Sequence, residues 1–222
     1  MSVDLIVRGR IATLSGTVGF GWVEAIAIND GRVVAAGPAS ELTALAGAAT
    51  RVIELDPNEV AVPGLTDAHI HLAGAAVARL RVDLDGAASL ADGFGMIRAA
   101  HEAEADPDVW IEGYGWDPDR WGRWPTAADL EEVAPGRRAA LWAHDQHSFW
   151  VSQTALQLAG LTGRTPDPPG GAIRRGPDGA PSGILHEAAA RLVSSHIPAP
   201  SHDTVETAVA ALSADLIRLG VV

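Results

Sequence analysis

Two histidines placed two residues apart give this sequence its clearest chemical signal. The stretch Val62–Leu72 reads as a strand entered through the turn Pro63-Gly64, and it carries Asp67, His69 and His71. Alternate residues of a strand point to one face, with Cα atoms roughly 6.6 Å apart. Two imidazoles at that spacing can reach one metal ion, and Asp67 could orient one of them. An isolated His-x-His also occurs in ordinary structural strands, so the spacing alone leaves both interpretations open.

The absence of two residue types limits the chemistry. The sequence contains no cysteine, which excludes disulfides, zinc–thiolate sites and thiol catalysis within it. All 16 basic residues are arginine. Without lysine there is no Schiff-base chemistry, no P-loop lysine and no carboxylated lysine to bridge two metal ions. A metal site here must therefore use imidazole and carboxylate donors.

Composition narrows the choice of partners. The 222 residues carry a formal net charge of −12, and 47% of them are hydrophobic. An acidic chain of this kind is a poor candidate for binding nucleic acid or an anionic membrane. Because neither a signal-peptide pattern nor an apolar run of about 20 residues is present, we expect a cytoplasmic protein acting on a small molecule. The oligomeric state stays open, a homo-oligomer included.

The first 60 residues predict a small β-rich unit. Residues 4–14 read as a strand, and Asn29-Asp30-Gly31-Arg32 between two apolar runs predicts a β-hairpin. A short helix at about 39–46 and a strand at 51–55 follow. The predicted domains are therefore 1–60, the β-rich unit, and 61–222.

From residue 61 onward the pattern alternates between strands and helices, which favours an α/β fold with a parallel sheet or barrel. The predicted strands are residues 79–84, 109–116 and 138–143. The predicted helices are residues 89–104 capped by Ser89, 125–133 capped by Thr126, 152–159, 184–193 and 203–219. Residues 162–183, rich in Gly and Pro, contain a hairpin-like turn and form either a linker or a loop over a ligand site.

The length of this α/β region bears on the architecture. A (β/α)₈ barrel needs about 250 residues, whereas 222 − 60 = 162 residues follow the β-rich unit. We therefore expect the first half of a barrel, and a sequence that is an incomplete copy of a longer enzyme.

Several blocks, taken in order, extend the histidine signal. They are Asp67-Ala68-His69-Ile70-His71, the run 110–117 (WIEGYGWD), Trp124-Pro125-Thr126, Asp145-Gln146-His147 with Trp150-Val151-Ser152, and Gly170-Gly171-Ala172-Ile173-Arg174 with Glu187. Together they resemble the amidohydrolase superfamily, and within it the amidohydrolase 3 family, in the subgroup of N-substituted formamide deformylases. One departure is Gln146, where members commonly have Gly.

The resemblance implies a fold, a reaction and site residues. It implies a small β-sandwich beside a (β/α)₈ barrel, and one or two divalent ions, zinc foremost, at the barrel mouth. The ions would activate water to hydrolyse a C–N bond of a non-peptide amide or N-formyl compound. Carried onto this sequence, His69 and His71 are metal ligands, Glu187 is the candidate carboxylate ligand, and His147, Trp116 and Asp117 are candidate substrate-binding residues. No catalytic residue is assigned within the chain, since the general base is expected beyond residue 222.

Two alternatives stay open from sequence. The chain could be a catalytically inactive truncated fragment that acts, if at all, as a binding or interaction piece. It could also carry out a different reaction on the same scaffold, such as deamination or ester hydrolysis, because the discriminating pocket residues lie on variable loops.

Overall fold

The structure, a computed structural model, describes residues 3–15 and 19–222. The described chain forms two compact units. The first contains the residues up to His69 together with Asp215–Val222, and the second is Ile70–Ala214.

The first unit is built on a mixed sheet. Its elements are β1 (Leu5–Ala12), β2 (Trp22–Asn29), β3 (Arg32–Gly37), α1 (Ala39–Thr43), β4 (Arg51–Glu54) and β5 (Val60–Ala61). In the described residues the strand order is β3-β2-β1-β4, and β5 also pairs with β1. β2 runs antiparallel to β1 and β3, whereas β4 and β5 run parallel to β1. In the described residues, the strands of this sheet all lie between Leu5 and Ala61.

The turn of the predicted hairpin has the expected backbone conformation. Asp30 and Gly31 have φ angles of 49° and 71°, and two consecutive positive φ angles are what a type I′ hairpin turn requires. One face of this sheet packs against α1, where Ile6, Ala27 and Leu42 are buried together.

The second unit is built around one mixed sheet with helices on both sides. Its strands are β6 (Val82–Asp83), β7 (Ile111–Trp116), β8 (Ala139–Ala143), β9 (Ser148–Val151), β10 (Gly171–Arg175) and β11 (Pro181–Glu187). Its helices are α2 (Leu72–Ala78), α3 (Leu90–Ala103), α4 (Pro118–Trp121), α5 (Ala127–Val133), α6 (Gln153–Leu158), α7 (Arg191–Ser194) and α8 (His202–Arg218). Residues of α8 belong to both units. The α/β class is confirmed.

The strand directions determine which loops share an edge. Across the described part of the second unit the sheet order is β10-β11-β9-β8-β7-β6. β6, β7 and β8 are mutually parallel, while β9 is antiparallel to both β8 and β11. β11 therefore runs in the same direction as β8, and the carboxyl ends of β7, β8 and β11 lie at one edge of the sheet.

Alternating side chains bury both faces of this sheet. On one face, Trp116, Leu141 and Trp150 pack with Ile97 of α3 and Leu130 of α5. On the other, Phe149 and Leu185 pack with Leu156 of α6 and Val193 of α7.

Most predicted helices and hairpins are confirmed within a few residues, including the hairpin inside residues 162–183, which β10 and β11 form. Two local predictions are wrong. The predicted strand Val62–Leu72 is not formed, apart from the single bridge at Leu65, and the predicted helix 184–193 begins as strand β11, which ends at Glu187. Among the described residues, no helix is both long and apolar enough to cross a membrane.

Candidate active site

The segment with the two histidines is irregular and exposed. Only Leu65 is bridged, in parallel to Val221, and residues 62–71 are all exposed. The side chain of Asp67 accepts a hydrogen bond from the backbone N of His69 at 2.9 Å, which closes a short turn. The prediction of a buried strand is therefore corrected, and Asp67 contacts the backbone of His69.

His71 marks the start of a helix that the sequence analysis missed. It occupies the N-cap position of α2 with φ −91° and ψ 60°, and its carbonyl oxygen accepts from the N of Ala75 at 2.9 Å. Its imidazole makes no capping bond. His69 belongs to the first unit and His71 to the second, and both side chains are exposed on non-helical backbone.

Asp117 and His144 follow the carboxyl ends of two adjacent parallel strands. β7 ends at Trp116 and β8 at Ala143, and the N of His144 donates to the carbonyl oxygen of Trp116 at 2.9 Å. The Asp117 carboxylate caps α4 by accepting from the N of Asp119 at 2.9 Å, and it lies 3.9 Å from Nε2 of His144. Its capping role fixes Asp117 at the sheet edge, while its substrate-binding role stays a prediction.

Trp116 is a core residue. Its side chain has no exposed surface, and its indole Nε1 donates to the carbonyl oxygen of Leu141 at 2.9 Å. Its ring centroid lies about 6 Å from those of Trp121, Trp124 and Trp150, in mostly edge-to-face contacts. The prediction that Trp116 lines a pocket is corrected, because its ring is enclosed by these aromatic neighbours.

The turn between β8 and β9 presents His147. The N of Gln146 donates to the carbonyl oxygen of Ala143 at 3.0 Å, and the N of His147 donates to Oδ1 of Asp145 at 2.9 Å. Gln146 has φ 62°, in a region that glycine adopts more readily than other residues. Gly, the residue that the family resemblance leads us to expect here, would adopt this backbone conformation at less cost than Gln.

Glu187 lies next to His147. It ends β11 at the same sheet edge as the β8–β9 turn, and its N donates to the carbonyl oxygen of His147 at 2.9 Å. Its Oε1 lies 2.9 Å from Nδ1 of His147, and both side chains are more than half exposed. The structure thus joins two residues that the sequence analysis had assigned separate roles.

A cluster beside this pair was missed by the sequence analysis. The Oγ of Ser148 lies 3.0 Å from Nδ1 of His186, and the His186 ring contacts Trp124 edge to face. The Arg174 guanidinium stacks 4.5 Å above Trp124. Burial, and then the charge of Arg174, lower the pKa of His186. The sequence signal that could have identified this cluster is the alternation of side chains along β9 and β11, whose pairing places Ser148 opposite His186.

Outside this edge, close groups of potential metal ligands are rare in the described residues. Within residues 3–15 and 19–222, three donors whose atoms all lie within 4.8 Å of one another occur only at His202, Asp203 and Glu206, all exposed on the first turn of α8. The predicted ligands His69, His71 and Glu187 do not form such a group. Exposed acidic groups at a helix start are common and do not by themselves define a metal site.

A cavity of about 370 Å³ lies in the first unit. Its lining is mainly aliphatic and includes Ile11, Ile26, Val33 and Val62. It contains none of the predicted site residues, so its size does not make it the catalytic pocket.

Comparison with known proteins identifies relatives for most of the sequence. Residues 52–222 match a family model described as "Amidohydrolase family". Protein LONG AFTER FAR-RED 3 of Arabidopsis thaliana is 32% identical over 90% of this chain and 34% of its own length. The putative amidohydrolase YtcJ of Bacillus subtilis (strain 168) is 32% identical, with coverage of 86% and 36%. The N-substituted formamide deformylase of Arthrobacter pascens is 34% identical, with coverage of 78% and 32%.

Solved structures show the same fold. An uncharacterized metal-dependent hydrolase from Pyrococcus furiosus superposes with a TM-score of 0.69 at 23% identity, over 98% of this chain and 42% of that one. One from Pyrococcus horikoshii gives a TM-score of 0.65 at 21% identity. The chain spans about a third of the length of the curated relatives it matches.

Proposed function

Because residues 52–222 match its model, this chain belongs to the amidohydrolase family, and we propose that it is a metal-dependent hydrolase of C–N bonds in non-peptide amides or N-formyl compounds. The family match supports hydrolysis. The C–N bond and the N-formyl group are supported by the relative named N-substituted formamide deformylase, at 34% identity. The observation that carries the proposal is that the matched region includes both His69 and His71.

We also propose the architecture that this activity needs. Residues 61–222 would be the N-terminal half of a (β/α)₈ barrel, and residues 1–60 part of a small β-sandwich. The parallel strands β6, β7 and β8, joined through α3 and α5, support the barrel because strand–helix–strand units build it. In such barrels the chemistry lies at the carboxyl ends of the strands, where Asp117, His144 and His147 are found.

The donor chemistry of the chain fits a divalent ion. His69 and His71 provide two exposed imidazoles, and borderline ions such as zinc favour nitrogen and carboxylate oxygen ligands. Zinc is our choice of metal. The sequence analysis added Glu187 as a third ligand, but its Oε1 is engaged by Nδ1 of His147 at 2.9 Å, so we assign the ion to His69 and His71. When bound, the ion would supply Lewis acidity at the scissile carbonyl and lower the pKa of a water molecule.

The remaining residues would bind and orient the substrate. His147 lies on an exposed turn, where its imidazole can form a hydrogen bond with an amide substrate. Asp117, held as a helix cap, would contribute a fixed negative charge at the same edge. Neither role requires His147 or Asp117 to coordinate a metal ion.

Formate release tests this function. The purified chain, supplied with zinc, is expected to release formate from an N-alkylformamide, to lose that activity with a chelator, and to regain it when zinc is restored. A simple alkyl ester and an aminopurine serve as comparison substrates for ester hydrolysis and deamination. Turnover of either one without formate release would refute the proposed bond type. A rate unchanged by the chelator would refute the metal dependence.

A further inference from the structure

We propose that Glu187 is a positioning residue, which holds the His147 imidazole through Nδ1 so that Nε2 is the ring nitrogen that meets the substrate. This inference rests on the proposed function, and it assigns to Glu187 a role other than metal ligation. The contact that carries it is the 2.9 Å approach of His147 Nδ1 to Glu187 Oε1.

Backbone contacts fix the distance between the two residues. Strand β9 follows His147 and is paired with β11, which ends at Glu187. The N of Glu187 also donates to the carbonyl oxygen of His147 at 2.9 Å. The side-chain contact is therefore built on a sheet rather than between two independent loops, so it can orient a ring reproducibly.

The backbone at this pair is strained. Glu187 has φ 52° and ψ −125°, and Gln146, which precedes His147, has φ 62°. Residues other than glycine adopt such angles at a cost, and strained positions of this kind concentrate at functional sites. Both side chains are well exposed, and an exposed ion pair contributes little to stability. Stability alone therefore does not account for the strain.

Hydrogen-bond chemistry determines which ring nitrogen is left for the substrate. An ionised carboxylate can only accept hydrogen bonds, so the proton of the contact must lie on Nδ1 of His147. The partner of one ring nitrogen sets the role of the other, as it does for catalytic and metal-binding histidines. Glu187 therefore fixes the tautomer and leaves Nε2 as a hydrogen-bond acceptor for the N–H of an amide substrate.

The donor geometry supports positioning over ligation. Among the described residues, no set of three or more His, Asp or Glu donors within 4.8 Å of one another includes Glu187. Its Oε1 is already engaged by His147. A carboxylate used in this way has a function that needs no ion at all.

The test is the ring tautomer of His147, read by long-range ¹H–¹⁵N correlation on chelator-treated protein labelled with ¹⁵N-histidine. The His147→Gln variant assigns the signal, and circular dichroism verifies folding of every variant. We expect the Nδ1–H form in the wild type and in Glu187→Gln, which keeps an oxygen acceptor. Glu187→Ala should shift the population toward the Nε2–H form, and the exposed control Glu102→Ala should not.

Two results would overturn the proposal: an unchanged His147 tautomer in Glu187→Ala, or zinc content that falls in Glu187→Gln to the level expected when His69 and His71 are replaced. Because the tautomer is read without metal or substrate, its failure is separate from failure of the hydrolase function. If Glu187 positions His147, Glu187→Ala should also lower kcat/KM at least tenfold with unchanged zinc content, and Glu187→Gln should restore part of it.

Discussion

The indole Nε1 of Trp116 donates a hydrogen bond of 2.9 Å to the carbonyl oxygen of Leu141, and this bond links two parallel strands beneath the candidate active site. Trp116 is the last residue of β7, and Leu141 lies within β8. Because the bond holds β7 and β8 together, the residues that follow these strands, Asp117 and His144, are held at fixed positions. A residue first considered as a substrate contact instead supports the edge that carries such contacts.

Removing this indole should destabilise the chain strongly. Trp116→Ala would leave a large cavity and remove the indole hydrogen bond to Leu141, so we expect the free energy of unfolding to fall by about 3–5 kcal/mol. Urea denaturation followed by circular dichroism measures it. Trp22→Ala, at a half-exposed tryptophan, should cost about 1 kcal/mol or less. Equal losses in the two variants would show that Trp116 is not a core residue.

The cap of α5 should make stability depend on pH. Burial raises the pKa of the Asp129 carboxyl, but hydrogen bonds from Arg123 and Thr126 outweigh it, so the pKa lies below its ordinary 3.8. Arg123 binds both carboxylate oxygens at 2.7 Å. A lowered pKa in the folded state stabilises the protein above pH 3.8, and the contribution is lost as pH falls through that value toward the folded pKa.

Asp129→Asn measures this contribution. It should lower the free energy of unfolding at pH 7 by about 1–2 kcal/mol, with a smaller difference from wild type below pH 3.8. Glu102→Gln, at an exposed site on α3, is the control and should match wild type. A constant difference between Asp129→Asn and wild type from pH 7 down to pH 3 would contradict the assigned charge interaction.

A glycine near the sheet edge should not tolerate a side chain. Gly115 has φ 91°, and a Cβ there would lie 2.4 Å from Oδ1 and 2.6 Å from the N of Asp85. Gly115→Ala should therefore cost about 2 kcal/mol or more. Gly86→Ala has open space around its Cβ and should change stability by about 0.5 kcal/mol at most. Thermal unfolding compares the two, and a neutral Gly115→Ala would refute the close approach to Asp85.

The exposed imidazole of His147 should matter for turnover more than for folding. If its Nε2 accepts a hydrogen bond from the substrate amide, His147→Ala should lower kcat/KM for formamide hydrolysis by about tenfold or more, with little change in the melting temperature. His196→Ala, at an exposed histidine outside the site, should leave the rate unchanged. Similar rates for wild type and His147→Ala would remove His147 from the substrate contacts.

The sequence predicts well the features that depend on neighbouring residues. Ser89 accepts from the N of Asp92 at 3.2 Å at the start of α3, and Thr126 forms a capping box with Asp129. The Asp30-Gly31 turn likewise needs only local backbone conformation. These predictions hold because the groups that satisfy the backbone lie within a few residues.

Features that depend on distant partners were less predictable. Leu185, Glu187 and the three alanines that follow favour a helix locally, yet pairing with β9 and β10 makes residues 181–187 a strand. The segment 66–71 alternates polar and apolar residues as a strand does. In the described chain, however, the β-bridge nearest to this segment is formed by Leu65, the residue before it. The contact between His147 and Glu187 depends on the pairing of β9 with β11, two strands that are distant in the sequence, and leaves no local signal.

Zinc stoichiometry, measured by elemental analysis and by titration into chelator-treated protein, tests the central claim most directly. We predict that wild type and the His196→Ala control retain stoichiometric zinc, and that the double variant His69→Ala/His71→Ala loses it while remaining folded by circular dichroism. Equal zinc content in the double variant and the wild type would contradict the assignment of His69 and His71 as the metal ligands on which the proposed hydrolysis depends.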